Sequence, residues 1–197
     1  MHTRTRCVSS TMVSHSTQSA FALAAPDALW RYACTYYADP DIATACLDLQ
    51  ERAGADVCEL LWLGWLDHLG LTPDANVADV LVPVREHQAR QTYRLRAKRR
   101  ALKPLARTGS PLAEWRERLK RAELRAEREA LDRLQALTQR GEGVCNKHAS
   151  DADLYTVLVR HLGPTVATLD HSLTMLAQGL RPRASLVNLS HHDPSGE

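Results

Sequence analysis

Four side chains in the second half of the chain are of the types that bind metal ions through nitrogen or sulfur. Cys145 and His148 are separated by two residues, and His161 and His171 follow them. A structural zinc site usually combines two closely spaced pairs of such ligands, and the second pair is missing here. A histidine near a helix C-terminus is also favoured by the helix dipole. We therefore predict no metal site, and no sequence motif indicates a cofactor.

Three cysteines could act as nucleophiles if a nearby histidine activated them. Cys34, Cys46 and Cys58 are spaced twelve residues apart, and His68 follows them. Nucleophilic catalysis needs an adjacent base and donors for the developing negative charge, but no glycine-rich turn or nucleophile elbow is present. We interpret these cysteines as small buried side chains and predict no catalytic residues. An enzyme without a recognisable motif stays as an alternative.

Charge is divided unevenly along the chain, although the net charge is only +2. Residues 27–79 carry ten acidic and two basic side chains, whereas residues 85–107 carry nine basic and one acidic side chain. The basic segment could bind an anionic partner such as nucleic acid or a membrane surface. It could instead pack against the acidic part of its own chain, and we favour this second interpretation.

The basic segment is the best candidate for a binding function. Six cations could contact phosphates, and Tyr93 could stack on a base. These cations are Arg94, Arg96, Lys98, Arg99, Arg100 and Lys103. No helix-turn-helix or other known module can be placed around them, and on a helix they would spread around most of the circumference. Nucleic-acid binding is therefore the alternative hypothesis, and a membrane-surface helix is disfavoured because a continuous apolar face is absent.

The elements that position these residues are predicted to be helices. Aromatic residues make up only 5% of the chain, which favours helix over sheet. Asp39 can cap a helix that has Pro40 at its first position, and Gly54 can end it. Asp56 and Glu59 resemble a capping box at the start of the next, almost wholly apolar helix. We expect the first three helices over about residues 26–37, 40–53 and 56–69.

The rest of the chain is predicted to add a long helical segment and several shorter ones. One helix is expected to start near Thr72 and to bend or break at Pro83 before the basic segment. Ser110 and Pro111 should start a long helix that runs to about Arg140, and it should project or pair with the basic segment as a hairpin. A loop over residues 141–150 and two short helices are expected to follow. These elements predict an all-α bundle of about five to seven helices.

Composition along the chain predicts one helical domain over residues 26–179. Residues 1–25 contain no acidic side chain and are expected to be a disordered leader, and residues 180–197 a disordered tail. No apolar run approaches the roughly 18 residues of a membrane span. Five cysteines without a CxxC motif suit a reducing compartment, so we predict a cytoplasmic protein.

Two separated stretches resemble a known family. Residues 29–66 read LWRYACTYYADPDIATACLDLQERAGADVCELLWLGWL, and residues 94–103 precede a second matching stretch over residues 115–137. Both are similar to a family of small bacterial proteins that contain a domain of unknown function, although Cys58 and Glu59 depart from its usual pattern. The resemblance implies an all-helical fold and no assigned activity. With no catalytic motif, we predict a non-enzymatic interaction or adaptor protein that binds protein, either itself or another chain.

Overall fold

The computed structural model describes residues 25–181. The predicted leader and tail therefore lie almost entirely outside the described residues, and those two predictions stay predictions. Within residues 25–181 the regular structure is helical except for two strands of three residues each. The predicted all-α fold with a long helix in the second half is confirmed.

The first three helices begin and end where the local sequence predicts. They are α1 (Ala28–Tyr37), α2 (Pro40–Ala53) and α3 (Val57–His68). The Asp39 carboxylate accepts a hydrogen bond from the backbone N–H of Asp41, and Gly54 ends α2 with a φ of 67°. The Asp56 carboxylate caps α3 through the N–H groups of Cys58 and Glu59. Each cap satisfies backbone groups that the helix itself leaves unpaired.

Helix α3 is the centre of the core. All nine residues from Cys58 to Leu66 are buried, as the continuous apolar sequence predicts. A Cβ atom added to Gly64 would lie 2.6 Å from Cδ1 of Leu180 and 2.9 Å from the hydroxyl oxygen of Tyr32. This close approach explains why the helix interior carries glycine in spite of its poor helix propensity.

The segment after α3 is a strand, which corrects the predicted helix start at Thr72. Strand β1 (Leu71–Pro73) pairs antiparallel with β2 (Val144–Asn146), so that Thr72 faces Cys145. Helix α4 (Val77–Arg90) begins four residues after the strand ends, and the Asp74 carboxylate accepts from the N–H of Asn76 before it. The pairing partner is distant in sequence, so local signals could not reveal this small sheet.

Pro83 does not end α4, which continues to Arg90. The break falls instead at Gln91, and α5 (Thr92–Leu102) carries the basic segment. Helix α6 (Pro111–Arg140) is the predicted long helix, with the Ser110 hydroxyl accepting from Ala113 N–H and Gly141 at a φ of 69°. Helices α5 and α6 pack together as the predicted hairpin. No residue over 111–122 is buried, so this end of α6 extends beyond the core.

The chain closes the bundle with helices at the end of the described region. They are α7 (Leu154–Leu162), a 3₁₀ helix (Pro164–Leu169) and α8 (Asp170–Gly179). Helix α8 packs on α2, where the Ser172 hydroxyl donates to the carboxylate of Asp48 at 2.5 Å. In the part of the chain that the structure describes, no helix has the length and apolar character of a membrane span.

Candidate functional site

The six cations of the basic segment fall into two groups. Three of them form ion pairs with carboxylates of this chain, namely Arg96, Arg99 and Arg100. The other three are exposed and have no ion-pair partner among the described residues, namely Arg94, Lys98 and Lys103. Ion pairs within the chain thus compensate three of the six cations, and the other three have no such compensation among the described residues. Of the three carboxylates in these ion pairs, only Glu51 belongs to the acidic stretch over residues 27–79. The other two, Glu123 and Glu127, lie on α6.

Two arginines of α5 bind two glutamates of α6. Arg96 donates to Glu123 at 2.8 Å and to Glu127 at 2.6 Å, and Arg99 donates to Glu123 at 2.5 and 3.2 Å. Burial on its own would raise the pKa of Glu123, but the hydrogen bonds from Arg99 and Arg96 hold it below its ordinary value. Because the Arg96 side chain is only 15% exposed, we interpret this network as the link that holds α5 against α6.

An amphipathic cleft of about 400 Å³ lies beside this network. Its walls come from α1, α2, α3 and α6, and α5 contributes cations to its rim. The interior is lined by apolar side chains that include Ala33, Tyr37, Val57, Leu61 and Leu131. Leu47 and Leu124 also line the cleft and keep 43% and 52% of their surfaces exposed. An apolar cavity with a few polar groups at its edge is the usual form of a ligand site.

Sequence reasoning missed the amphipathic cleft, although two residues carried a signal. Leu47 lies off the buried face that Ile42, Cys46 and Leu49 define on α2. Leu124 likewise lies off the stripe of small and apolar residues that α6 turns to the core. A large apolar residue on the outer face of each of two helices is the pattern that could have indicated a shared opening.

Glu59 is the buried acceptor of a polar cluster with Arg85 and His161. Its side chain is 3% exposed and accepts two hydrogen bonds from Arg85, at 2.9 and 2.8 Å, and one from His161 at 2.7 Å. Burial would raise the pKa of Glu59, but the bonds from Arg85 and His161 lower it overall. The predicted capping box is therefore only half correct, because Asp56 caps the helix while Glu59 binds side chains from α4 and α7.

Asp56 binds side chains of α4 and α5 in addition to capping α3. It accepts from the Tyr93 hydroxyl at 2.8 Å and from the Gln88 amide at 3.3 Å. Burial raises the pKa of Asp56 despite the hydrogen bond from Tyr93. Tyr93, which the sequence offered as a stacking residue, is 40% exposed, but its hydroxyl group is held by this contact.

The cysteines are not arranged as activated nucleophiles. Cys46 and Cys58 are buried as predicted, and burial raises the pKa of the Cys46 thiol to about 12 and also raises that of Cys58. Cys34 is exposed, contrary to our interpretation, because the buried face of α1 passes through its neighbours Tyr32, Ala33 and Tyr36. His68 packs beside the ring of Tyr32, with ring centroids 5.9 Å apart.

The four candidate metal ligands do not converge. Cys145 and His148 line an open polar cleft, whereas His161 is bonded to Glu59 and His171 is exposed. Over residues 25–181, no group of three or more His, Cys, Asp or Glu side chains could hold a metal ion.

The comparisons with known proteins give one family. The family described as a protein of unknown function (DUF2390) matches residues 28–134, which is more than half of the chain. The matched region contains α1 to α5 and most of α6, and with them the first stretch that carried the resemblance and all but the last three residues of the second. No curated protein and no solved structure matches the chain. The predicted resemblance to a family of unknown function is confirmed.

Proposed function

We propose that this chain, which belongs to the DUF2390 family of proteins of unknown function, is a non-enzymatic helical interaction protein. The observation that carries the proposal is the exposed end of the hairpin formed by α5 and α6. Three large apolar side chains occur there within eleven residues, and we call them the apolar tip: Leu105, Leu112 and Trp115.

The three side chains of the apolar tip are much more exposed than side chains that pack in the core. Leu105, Leu112 and Trp115 keep 61%, 40% and 55% of their surfaces exposed. Grouped exposed apolar side chains mark protein contact sites, and tryptophan is among the residues that contribute most to such contacts. Arg118 lies over the Trp115 ring at 5.6 Å from its centroid, which adds a cation beside the apolar surface.

The buried chemistry of the protein supports a non-enzymatic function. The carboxylates of Asp56, Glu59 and Glu123 accept hydrogen bonds from side chains of neighbouring helices, so they have structural partners. Burial raises the pKa of the cysteine thiols, whereas a nucleophile needs a lowered value. The cysteines of the described region are free, as is usual in a reducing compartment. We therefore propose that the protein is located in the cytoplasm of a bacterial cell.

The tip is tested with a double variant, Leu112→Glu with Trp115→Glu. We expect the wild-type protein either to self-associate in light scattering or to capture a protein partner from a lysate of its host. Because a central tryptophan typically contributes at least about 2 kcal/mol to a contact, the variant should weaken that interaction by about 30-fold or more. Dissociation constants from titration of the isolated complex measure this change.

The control is Val82→Glu, which places one negative charge on an apolar side chain of α4 that is 48% exposed. This control should bind like the wild-type protein. The proposal would be contradicted if the wild-type protein is monomeric and if every protein that it captures also binds the double variant.

A second candidate function is nucleic-acid binding, and one observation favours it. Arg94 and Lys98 lie four residues apart on the outer face of α5, are exposed, and form no ion pair with any described residue. Charge reversal of both residues should abolish binding to duplex DNA or RNA. Each phosphate contact should also contribute about −0.9 to the slope of log K against log salt concentration for a DNA duplex.

Electrophoretic mobility shifts at several salt concentrations measure this prediction. Glu86→Gln is a suitable control, since it changes an exposed charge on the preceding helix. Binding that is insensitive to salt, or that survives reversal of Arg94 and Lys98, would rule out this second function.

A further inference from the structure

The amphipathic cleft combines an apolar interior with a rim of cations, and it shares no residue with the apolar tip. We propose that it binds a small amphipathic anion, a molecule with one carboxylate or phosphate head and an aliphatic body. The argument uses the size of the cleft, the exposed leucines at its opening and the charge of its rim.

The size of the cleft fits a small molecule better than a partner helix. Ligand sites in proteins commonly enclose about 300–1,000 Å³, and the cleft has about 400 Å³. One turn of an α-helix with its side chains is about 10 Å wide and 5.4 Å long, so a single turn would already fill it. A flexible aliphatic chain can instead follow the space between Ala33, Leu61 and Leu131.

Two leucines give the cleft an apolar opening. Leu47 of α2 and Leu124 of α6 both line it, and about half of each side chain is exposed. An aliphatic body that covered them would remove this surface from water, at roughly 25 cal/mol per Å² of apolar area. Apolar contacts at the opening and in the interior of the cleft would therefore supply most of the ligand's binding free energy.

The rim carries more positive than negative charge. Arg96 and Arg99 are paired with Glu123 and Glu127 and so have carboxylate partners already. Lys120 also lines the cleft and has no ion-pair partner among residues 25–181.

Arg100 is the fourth cation at the rim. Within the described part of the chain it pairs only with Glu51, at 3.4 Å, and both side chains are more than half exposed. Contacts of this kind are weak and exchange readily with another anion. Lys120 and Arg100 are thus the groups that would hold a carboxylate or phosphate head.

Isothermal titration calorimetry with four ten-carbon probes below their aggregation concentrations tests the proposal. Decanoate and decyl phosphate should bind with one site per chain, and the tighter of the two identifies the preferred head. Decanol should bind about tenfold more weakly because its hydroxyl head carries no negative charge to pair with Lys120 and Arg100. Decylammonium should bind more weakly still, because the cations at the rim repel its positive head group.

Two double variants test whether the probes bind in the cleft. Leu47→Glu with Leu124→Glu should abolish decanoate binding, and Lys120→Glu with Arg100→Glu should weaken it at least tenfold. Val82→Glu and Lys98→Glu are the matched controls, because they make the same changes on exposed residues outside the cleft, and both should bind like the wild-type protein. Circular dichroism confirms that each variant is folded.

Three results would overturn the proposal. The first is equal binding of decanol and decanoate to the wild-type protein, and the second is unchanged decanoate binding by the folded charge variants. The third is the absence of any saturable binding of decanoate or decyl phosphate. None of these results bears on the apolar tip, which is tested with different residues and a protein partner.

Discussion

Replacing Trp62 by alanine is expected to lower the free energy of unfolding by about 3–5 kcal/mol. Trp62 is completely buried in α3, and its indole N–H donates to the Thr138 hydroxyl of α6 at 2.8 Å. The substitution removes the largest fully buried side chain and leaves a cavity that the surrounding helices can fill only in part. Small proteins are stable by roughly 5–15 kcal/mol, so this loss is a large fraction of the total.

Urea denaturation followed by circular dichroism measures this loss. Trp62→Phe should be milder, at about 1–2 kcal/mol, because it keeps most of the ring volume and loses the hydrogen bond to Thr138. Trp115→Ala is the matched control, since Trp115 is 55% exposed, and it should stay within about 0.5 kcal/mol of the wild-type protein. A loss below about 1 kcal/mol for Trp62→Ala would contradict the central position that we assign to α3.

Replacing Glu59 by alanine is expected to lower the free energy of unfolding by about 2–4 kcal/mol. The change removes the acceptor for two hydrogen bonds from Arg85 and one from His161. His161 has an 11% exposed side chain and would lose this partner inside the protein, whereas Arg85 is 46% exposed and can turn to water. The expected loss therefore lies below that of a fully buried ion pair.

Glu59 also makes stability depend on pH in acid. Its pKa in the folded protein is lowered by Arg85 and His161, against the effect of burial, so in acid the unfolded chain binds its proton more readily than the folded chain does. The stabilisation is complete above the ordinary glutamate pKa of about 4.3 and is lost as the pH falls through the lower folded value. Glu59→Gln should remove this part of the pH dependence, so the two proteins should differ most at neutral pH.

Chemical denaturation from neutral to acidic pH measures both effects. Glu51→Gln is the control, because the Glu51 side chain is 60% exposed and pairs with Arg100 only at 3.4 Å. It should change stability by less than about 0.5 kcal/mol at every pH. A wild-type protein and a Glu59→Gln variant with parallel stability curves would show that Glu59 is not the group responsible.

The class of the fold and the ends of most helices could be predicted from local patterns of residues. Asp39, Asp56 and Ser110 cap α2, α3 and α6 as predicted, and the glycines at 54 and 141 end two of them. These signals can be read without a structure because a cap acts on backbone groups within a single turn. The family resemblance followed from the same local patterns.

Which charges are free and where a ligand could bind depend instead on how the helices pack. The sequence showed six cations, but the pairing of Arg96 and Arg99 with Glu123 joins positions more than twenty residues apart. The small sheet, the contact of Glu59 with His161 and the cleft between Leu47 and Leu124 likewise join segments of the chain that are far apart. Ion pairs and cavities depend on how helices pack against each other, and no local pattern of residues specifies that packing.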